Sequence, residues 1–412
     1  MDSDSELYLC QSCLKDAYLK RYFDKVPTIT QLCYICLRKS SKCLQVTNNR
    51  EFSQIFKAII RYHYSEFDYN YKLEGCRSDI INIFEHCNPI LSHEYCMDRD
   101  ENYLGWIVTL LIEPIVGTID TQIKDGVSLY SNLAPPFIRN LQEDFSSVCG
   151  FFMHAIEQHG PKAMEPEAVN YLAPYVTKFT LKITRNRTLY RARLGYKKRG
   201  HKYDHLDDTI IDVFFPFAGK DISAPPIDKT RNNRLNQQGH SFLYLSSNET
   251  TALSEIKPYP GQFVSLGQFY PKKNLFLADL NNLDFSNYWL TDAELDIYVF
   301  LRTLGYWYSF PVQPDSNQSL YYTTQFFSAV FKALGFDGIT YRSSITDGTN
   351  YVVFQPGLMR YRRSSGKCVN VKSLAYTYKS VFYETSYAKS DYVSYDMFST
   401  NSDHTSHIYK EP

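Results

Sequence analysis

Five polar positions in the second half of the chain are spaced so that they could share one ligand. Arg191 follows Tyr190 at the end of a strand-like run. Arg234 opens Arg234-Leu235-Asn236 in a polar loop, with Gly239 just after it. Tyr244 lies in Phe242-Leu243-Tyr244-Leu245-Ser246, Glu255 in a short helical patch over 250–256, and a serine pair, Ser343-Ser344, follows Tyr341-Arg342. Arginine matches phosphate oxygens with its planar fork. An aromatic ring can wall a base. A carboxylate can stabilise a developing sugar cation or orient what attacks it. Taken singly, each residue has a plainer reading. Arg191 would be a surface ion pair, Arg234 a solvated loop cation, Tyr244 a core tyrosine, Glu255 a solvated helix residue, and the serines the end of a loop. Their order together carries the functional reading.

A second set of chemistry-bearing residues sits near the start. Cys10-Gln11-Ser12-Cys13 and Cys33-Tyr34-Ile35-Cys36 are two CxxC knuckles with nineteen residues between them. That spacing fits a structural zinc ribbon, in which Cys10, Cys13, Cys33 and Cys36 converge on one tetrahedral ion. A segment this small has no core of its own, and zinc would supply about 10 kcal/mol of folding energy. Four thiolates leave no open position, so a catalytic zinc is not expected. Cys43 is near enough to substitute for a ligand. His86, Cys87, His93 and Cys96 match no metal spacing and read as core or surface residues.

The elements that must carry these residues fall into five stretches. Residues 1–48 form the zinc-ribbon-like segment. Residues 49–160 read as a helical domain, with Phe52, Ile55, Phe56 and Ile59 on one face and further helices over 79–86 and 145–158. Residues 161–178 read as a connector, because Pro161, Pro166 and Pro174 interrupt any helix. Residues 179–375 read as mixed α+β, with strand-like runs at 180–183, 188–191, 211–215, 242–245, 263–266, 275–280 and 351–354, and helical patches at 250–256 and 325–334. Residues 376–412 are rich in Tyr, Ser and Asp, and are expected to form a loose or disordered tail.

Composition bounds the classes that remain. The 412 residues exceed one ordinary core. The 44 basic and 44 acidic side chains cancel, which argues against a polyanion stripe over the whole chain and leaves a local one open. The acidic start is not a secretory signal, and no apolar run is long enough to span a bilayer. A soluble, cytoplasmic protein with ten reduced cysteines is expected.

The order of the second-half residues resembles the RES domain family. Tyr190-Arg191 matches its first arginine, and Asn233-Arg234-Leu235-Asn236 its Gly-Arg-Trp-Asn-like loop. Ala252-Leu253-Ser254-Glu255 matches its glutamate helix, and Gly338-Ile339-Thr340-Tyr341-Arg342-Ser343-Ser344 its late serine strand, closed by Asn350–Phe354. Asn233 and Leu235 depart from the family's glycine and aromatic. The resemblance spans about 40% of the chain. It implies an ADP-ribosyltransferase-like α+β fold and toxin-like cleavage of the nicotinamide–ribose bond of NAD. In that scheme Arg191, Arg234, Asn236 and Tyr244 bind the dinucleotide, Glu255 faces the ribose, and Ser344 helps position the nicotinamide or ribose. The family further implies an antitoxin or regulatory protein as partner, with water or phosphate as acceptor. Two alternatives stand beside this: ADP-ribosyl transfer to a macromolecule, protein or nucleic acid, and a non-catalytic nucleotide-binding module with a zinc-ribbon interaction surface. The first half resembles the HEPN/RES N-terminal region. No arginine precedes a histidine at the Arg-x4-His spacing of HEPN ribonucleases, so ribonuclease activity is not expected there.

Overall fold

The computed structural model describes residues 6–63, 90–92, 140–204, 209–310 and 319–375. The expectations for 79–86, for the His86–Cys96 group and for the tail from 376 lie outside the described residues. Among the described residues no helix is long and apolar enough to cross a membrane.

The N-terminal part begins with a small antiparallel sheet of β1 (Tyr8–Cys10), β2 (Ile29–Leu32) and β3 (Lys39–Gln45), in the order β1-β3-β2. Helix α1 (Ala17–Phe23) connects β1 to β2, and the Asp16 carboxylate caps it by accepting from the Leu19 amide at 2.8 Å. Helix α2 (Arg50–His63) buries Phe52, Ile55, Phe56 and Ile59, the face expected from their spacing. Helix α3 (Ser147–His159) ends at Gly160, whose φ of 81° suits glycine, and Pro161 begins α4 (Pro161–Leu172). The expected connector is therefore helical. Pro161 occupies the first turn, where its missing N–H costs nothing, and α4 carries Pro166 in its interior.

The larger unit is a nine-stranded mixed sheet. Its strands are β4 (Thr180–Ile183), β5 (Leu189–Leu194), β8 (Leu243–Ser246), β9 (Phe263–Pro271), β10 (Leu275–Asp279), β11 (Gly338–Arg342), β12 (Thr349–Val353), β13 (Met359–Tyr361) and β14 (Lys367–Asn370). The order is β13-β9-β5-β8-β12-β11-β10-β4, with β14 also on β9. A separate ribbon pairs β6 (Lys198–Asp204) with β7 (Thr209–Phe215). Helix α5 (Glu249–Glu255) lies on one face of the sheet, packed with Ala192, Val264 and Leu266. Helices α6 (Asp292–Ser309) and α7 (Ser319–Ala333) share a core with Ile339, Tyr341, Val352 and Phe354.

Helix α6 is absent from the sequence expectation. Its middle, Ile297-Tyr298-Val299-Phe300-Leu301, is rich in strand-favouring side chains, and all five are buried. The helix signal lay in Thr291-x-x-Glu294, because the Thr291 hydroxyl caps the Glu294 amide at 3.2 Å. Gly305 lets α6 approach the sheet edge, where a Cβ would come within 2.5 Å of the Leu280 carbonyl.

The two parts share one continuous core. Leu9, Phe52, Ile59, Phe152 and Leu172 belong to the same buried cluster as Phe285, Phe300 and Phe327. At the seam the Tyr62 and Phe285 rings are 4.3 Å apart, and Tyr18 meets Phe285 edge-on at 5.5 Å. Lys57 and Arg61, both buried, reach the Asp292 carboxylate at 3.1 and 3.2 Å. Burial alone would raise the Asp292 pKa, but these two cations outweigh it and hold it below the ordinary value. Phe285→Ala is therefore expected to cost about 3–5 kcal/mol of stability and to shift a single unfolding transition. Urea unfolding read by tryptophan fluorescence and by far-UV circular dichroism would show this; two transitions, with only one moved, would contradict the shared core.

Candidate active site

The register of the sheet decides which residues can meet. Tyr190 pairs with Ser246, Ser246 with Asn350, and Asn350 with Tyr341, so these four side chains share one face. Glu255, the last residue of α5, lies over that face and is exposed. Its Oε1 accepts from the Ser343 hydroxyl and from the Asn350 amide, each at 2.7 Å. Ser246 in turn donates to Asn350 Oδ1 at 3.1 Å, which fixes the amide orientation. Ser246, Ser343 and Asn350 are buried. A rigid pair of donors thus holds one carboxylate oxygen, and Oε2 has no partner among the described residues.

The turn after β11 carries the serine. The Ser343 hydroxyl also accepts from the Ile345 and Thr346 amides at 3.2 and 3.3 Å, and its own amide donates to the Gly348 carbonyl at 2.9 Å. Thr346 meets Thr251 of α5 at 2.9 Å, and Thr251 is bound to the capping Asn248. Any Cβ on Gly348 would overlap the Thr251 hydroxyl, so this turn needs glycine to seat against the helix. Ser343, two residues past Tyr341, is on the Glu255 side. Ser344 is exposed on the turn, and the hydrogen bond to Glu255 comes from Ser343 instead. Strand alternation separates the two serines, and parity at a strand end could not be fixed from spacing alone.

Arg191 occupies a split in the sheet. Its neighbour Tyr190 makes the one register pair between β5 and β8, after which the strands part. The Arg191 guanidinium reaches across the gap and donates to the Tyr244 carbonyl at 2.7 Å, while its Nε is buried with no partner among the described residues. Burial, with a smaller push from the Arg193 cation, lowers its pKa from the ordinary arginine value to about 10. It remains charged at neutral pH.

Arg234 donates to the Tyr308 carbonyl at the end of α6, and its own carbonyl accepts from Thr324 at 2.6 Å. Tyr341 lies between the two charge signs. Burial raises its pKa, the Arg234 cation opposes that rise, and the Glu255 carboxylate adds to it. Tyr244 is likewise raised by burial, and the Arg191 and Arg234 cations are close enough to oppose the shift. Its hydroxyl donates to Asn236 Oδ1 at 2.6 Å. Arg191, Arg234, Tyr244 and Glu255 are therefore gathered around one end of the sheet. Asn236 is buried, and its amide is spent on the Arg231 and Gln237 carbonyls at 3.1 and 3.2 Å. It shapes the loop and positions Tyr244. Leu235, where the family has an aromatic, is buried in the main core. Sequence reasoning left Ser246 and Asn350 out of the site. Both lie in apolar strands, where a polar residue on the inward face was the available signal.

A wide cavity of about 1030 Å³ opens elsewhere. Phe269 lines it, and Phe269 pairs with Leu189, so it opens on the face opposite Tyr190 and Glu255. The held carboxylate and the unpartnered arginine nitrogen are the stronger marks of chemistry.

The cysteines form a separate centre. The sulfurs of Cys10, Cys13, Cys33 and Cys36 lie within 4.8 Å of one another. The separations are 3.4 Å for Cys10–Cys13 and 3.8 Å for both Cys10–Cys36 and Cys13–Cys33. A tetrahedron with Zn–S bonds of about 2.3 Å has sulfur edges of about 3.8 Å, so the donor set fits such an ion. The Cys10 amide donates to the Cys33 sulfur at 3.3 Å, a bond that favours a thiolate. Cys43 is buried beside the group, but its thiol donates to the Gln31 carbonyl at 3.2 Å.

An arginine sealed at a split with no carboxylate partner weakens the ligand-free fold. Arg191→Met is expected to raise stability by about 1 kcal/mol while removing anion binding. Thermal unfolding with and without NAD tests this; an unchanged or lowered melting temperature for the ligand-free variant would remove the argument.

No curated protein matches the chain. One solved structure, from the M. tuberculosis MbcT-MbcA toxin-antitoxin complex, aligns with 49% of this chain and 92% of its own. The identity is 11% and the TM-score 0.28, a likeness too slight to carry an argument. Residues 189–378, which hold Arg191, Arg234, Tyr244, Glu255, Ser343 and Asn350 but not the four zinc-type cysteines, match the family model of the RES domain.

Proposed function

We propose that the second half of this chain cleaves the nicotinamide–ribose bond of NAD on an ADP-ribosyltransferase-like frame. The carrying observation is Glu255, with one oxygen held by Ser343 and Asn350 and the other without a partner at the open face. The nicotinamide of NAD leaves as a neutral base, because the electrons of the breaking C1′–N bond discharge the pyridinium. No acid is needed. The ribose becomes cationic, and a fixed carboxylate opposite it lowers that barrier. Ser343 and Asn350 hold the carboxylate in place, so little reorganisation is required. Arg191 and Arg234 attract the pyrophosphate, and the buried Tyr244 supports the adjoining wall. The acceptor adds its oxygen to C1′ and loses a proton; water would give free ADP-ribose and phosphate its 1-phosphate.

The RES match at 189–378 supports an NAD-directed, toxin-like role; a cytoplasmic site of action and restraint by an antitoxin or other regulatory protein belong to the same proposal. Transfer to a macromolecule would use the same carboxylate, and a labelled-NAD assay separates the two. Nicotinamide release should fall at least about 100-fold in Glu255→Gln, and about 10- to 100-fold in Ser343→Ala, which removes one charged hydrogen bond. Ser344→Ala should retain parental activity. Full activity in Glu255→Gln would falsify the proposal, and a larger loss at Ser344 than at Ser343 would return the role to Ser344.

We further propose that Cys10, Cys13, Cys33 and Cys36 hold one structural zinc. Elemental analysis of the purified chain should give one zinc per molecule, lost in Cys33→Ser. Because the core is shared, chelation should also lower the melting temperature of the catalytic half. Metal-free protein with parental stability would refute this.

A further inference from the structure

We propose that the basic groove on the sheet face opposite Glu255 binds the phosphate backbone of a single-stranded nucleic acid. The proposal is independent of the NAD reading, since the groove and Glu255 lie on different faces. Its walls come from the ribbon, the loop after β7, the end of β9 and the turn after β13. These bring together Lys197, Lys198, Lys220, Lys272, Arg360 and Arg363, all exposed. None of its sixteen lining residues is acidic. Only Lys197 has a carboxylate partner among the described residues, Asp221 at 2.9 Å. The chain carries as many acids as bases, so unpaired cations converging here are a local choice that costs repulsion.

The positive surface continues beyond the groove. Lys198 pairs with Phe215 and Lys202 with Ile211, so both lysines lie on the ribbon face that carries Phe215. The ribbon's root is fixed by Phe214 stacked on Phe263 at 4.2 Å. A surface longer than one nucleotide suits a polymer. Phe215 is 43% exposed with the Lys198 ammonium 4.7 Å from its ring centroid, and Tyr361 is half-buried nearby. Accessible rings beside cations suit unpaired bases, which stack while their phosphates are neutralised. A duplex would hide its bases, and an acidic peptide would leave the rings unused.

The test is fluorescence anisotropy of a labelled 20-nucleotide single strand with the full chain at about 50 mM salt, where backbone contacts are strong. Tight binding is expected. Lys220→Glu with Arg360→Glu and Arg363→Glu should weaken it at least tenfold and flatten the log–log salt slope by about two, at about 0.7 per phosphate contact. Lys220→Arg with Arg360→Lys and Arg363→Lys should bind like the parent, which separates charge from folding, and nicotinamide release should be unchanged in both variants. No binding, equal binding by the charge-reversed variant, preference for a duplex of the same sequence, or displacement of the strand by polyglutamate at equal charge would each overturn the proposal. The last outcome would identify the groove as a site for an acidic protein.

Discussion

Helix α6 is the constraint on which the rest of the structure depends. Its first residue, Asp292, is gripped by Lys57 and Arg61 of the N-terminal part. Its penultimate residue, Tyr308, supplies the carbonyl that holds Arg234, and the Tyr308 ring packs 5.8 Å from Tyr341. Ser309 then donates to the Arg342 carbonyl at 2.7 Å, one residue before Ser343. One rigid rod therefore joins the cysteine-bearing half to the loop and strand that frame the candidate site. Rods of packed side chains transmit displacement because cores resist compression. What fixes the N-terminal part also fixes the position of Arg234.

The site itself shows how a short helix can present a carboxylate with little freedom. Glu255 ends α5, where the helix dipole gives a negative charge no support. The stabilisation comes from across the sheet, through Ser343, Asn350 and, behind them, Ser246. Ser246 and Asn350 are buried in largely apolar strands and Ser343 in the turn after β11, and each would be costly without a partner. The network and the carboxylate thus require one another. Arg191 is the opposite case, with a buried Nε that no described group satisfies. Such orphans are uncommon, and a ligand that accepts from the guanidinium is the simplest reason for one at a split in a sheet.

What could be read from the sequence followed the range of the interaction. The two CxxC knuckles were legible because each is local and the chemistry allows few spacings. Most strands were legible as apolar runs. The polar strand β6 was not, because Lys198-Arg199-Gly200-His201-Lys202 has no apolar face. Helix α6 was concealed by β-branched and aromatic residues buried on nearly every side, where packing overrides propensity. The connector around Pro166 was misjudged for the same reason: tertiary contacts can hold a helix that its sequence weakens. Arg191, Arg234, Tyr244 and Glu255, which their order in the sequence singles out, lie around one end of the sheet. Ser343 and Asn350 depended on strand parity and register, which arise only when the whole sheet pairs. The two parts bury residues in one cluster because their apolar faces cover each other, which no local pattern reports.

The two faces of the sheet also keep incompatible charges apart. The proposed reaction requires that the free oxygen of Glu255 is not captured by a cation of the protein itself. The proposed groove likewise depends on lysines and arginines of which only Lys197 has a carboxylate partner among the described residues. Placed side by side, the two would neutralise each other by several kcal/mol in partly buried surroundings. The sheet stands between them, and exposed charges farther apart than about 10 Å are largely screened at 0.1 M salt. Arg191 is the exception, since its side chain leaves β5 from the Leu189 face and crosses the split to Tyr244. The split is therefore where a second guanidinium joins Arg234 near the Glu255 side, and each is tethered to a carbonyl, Arg191 to that of Tyr244 and Arg234 to that of Tyr308. That arrangement leaves the carboxylate free and still provides a cation for an anionic substrate.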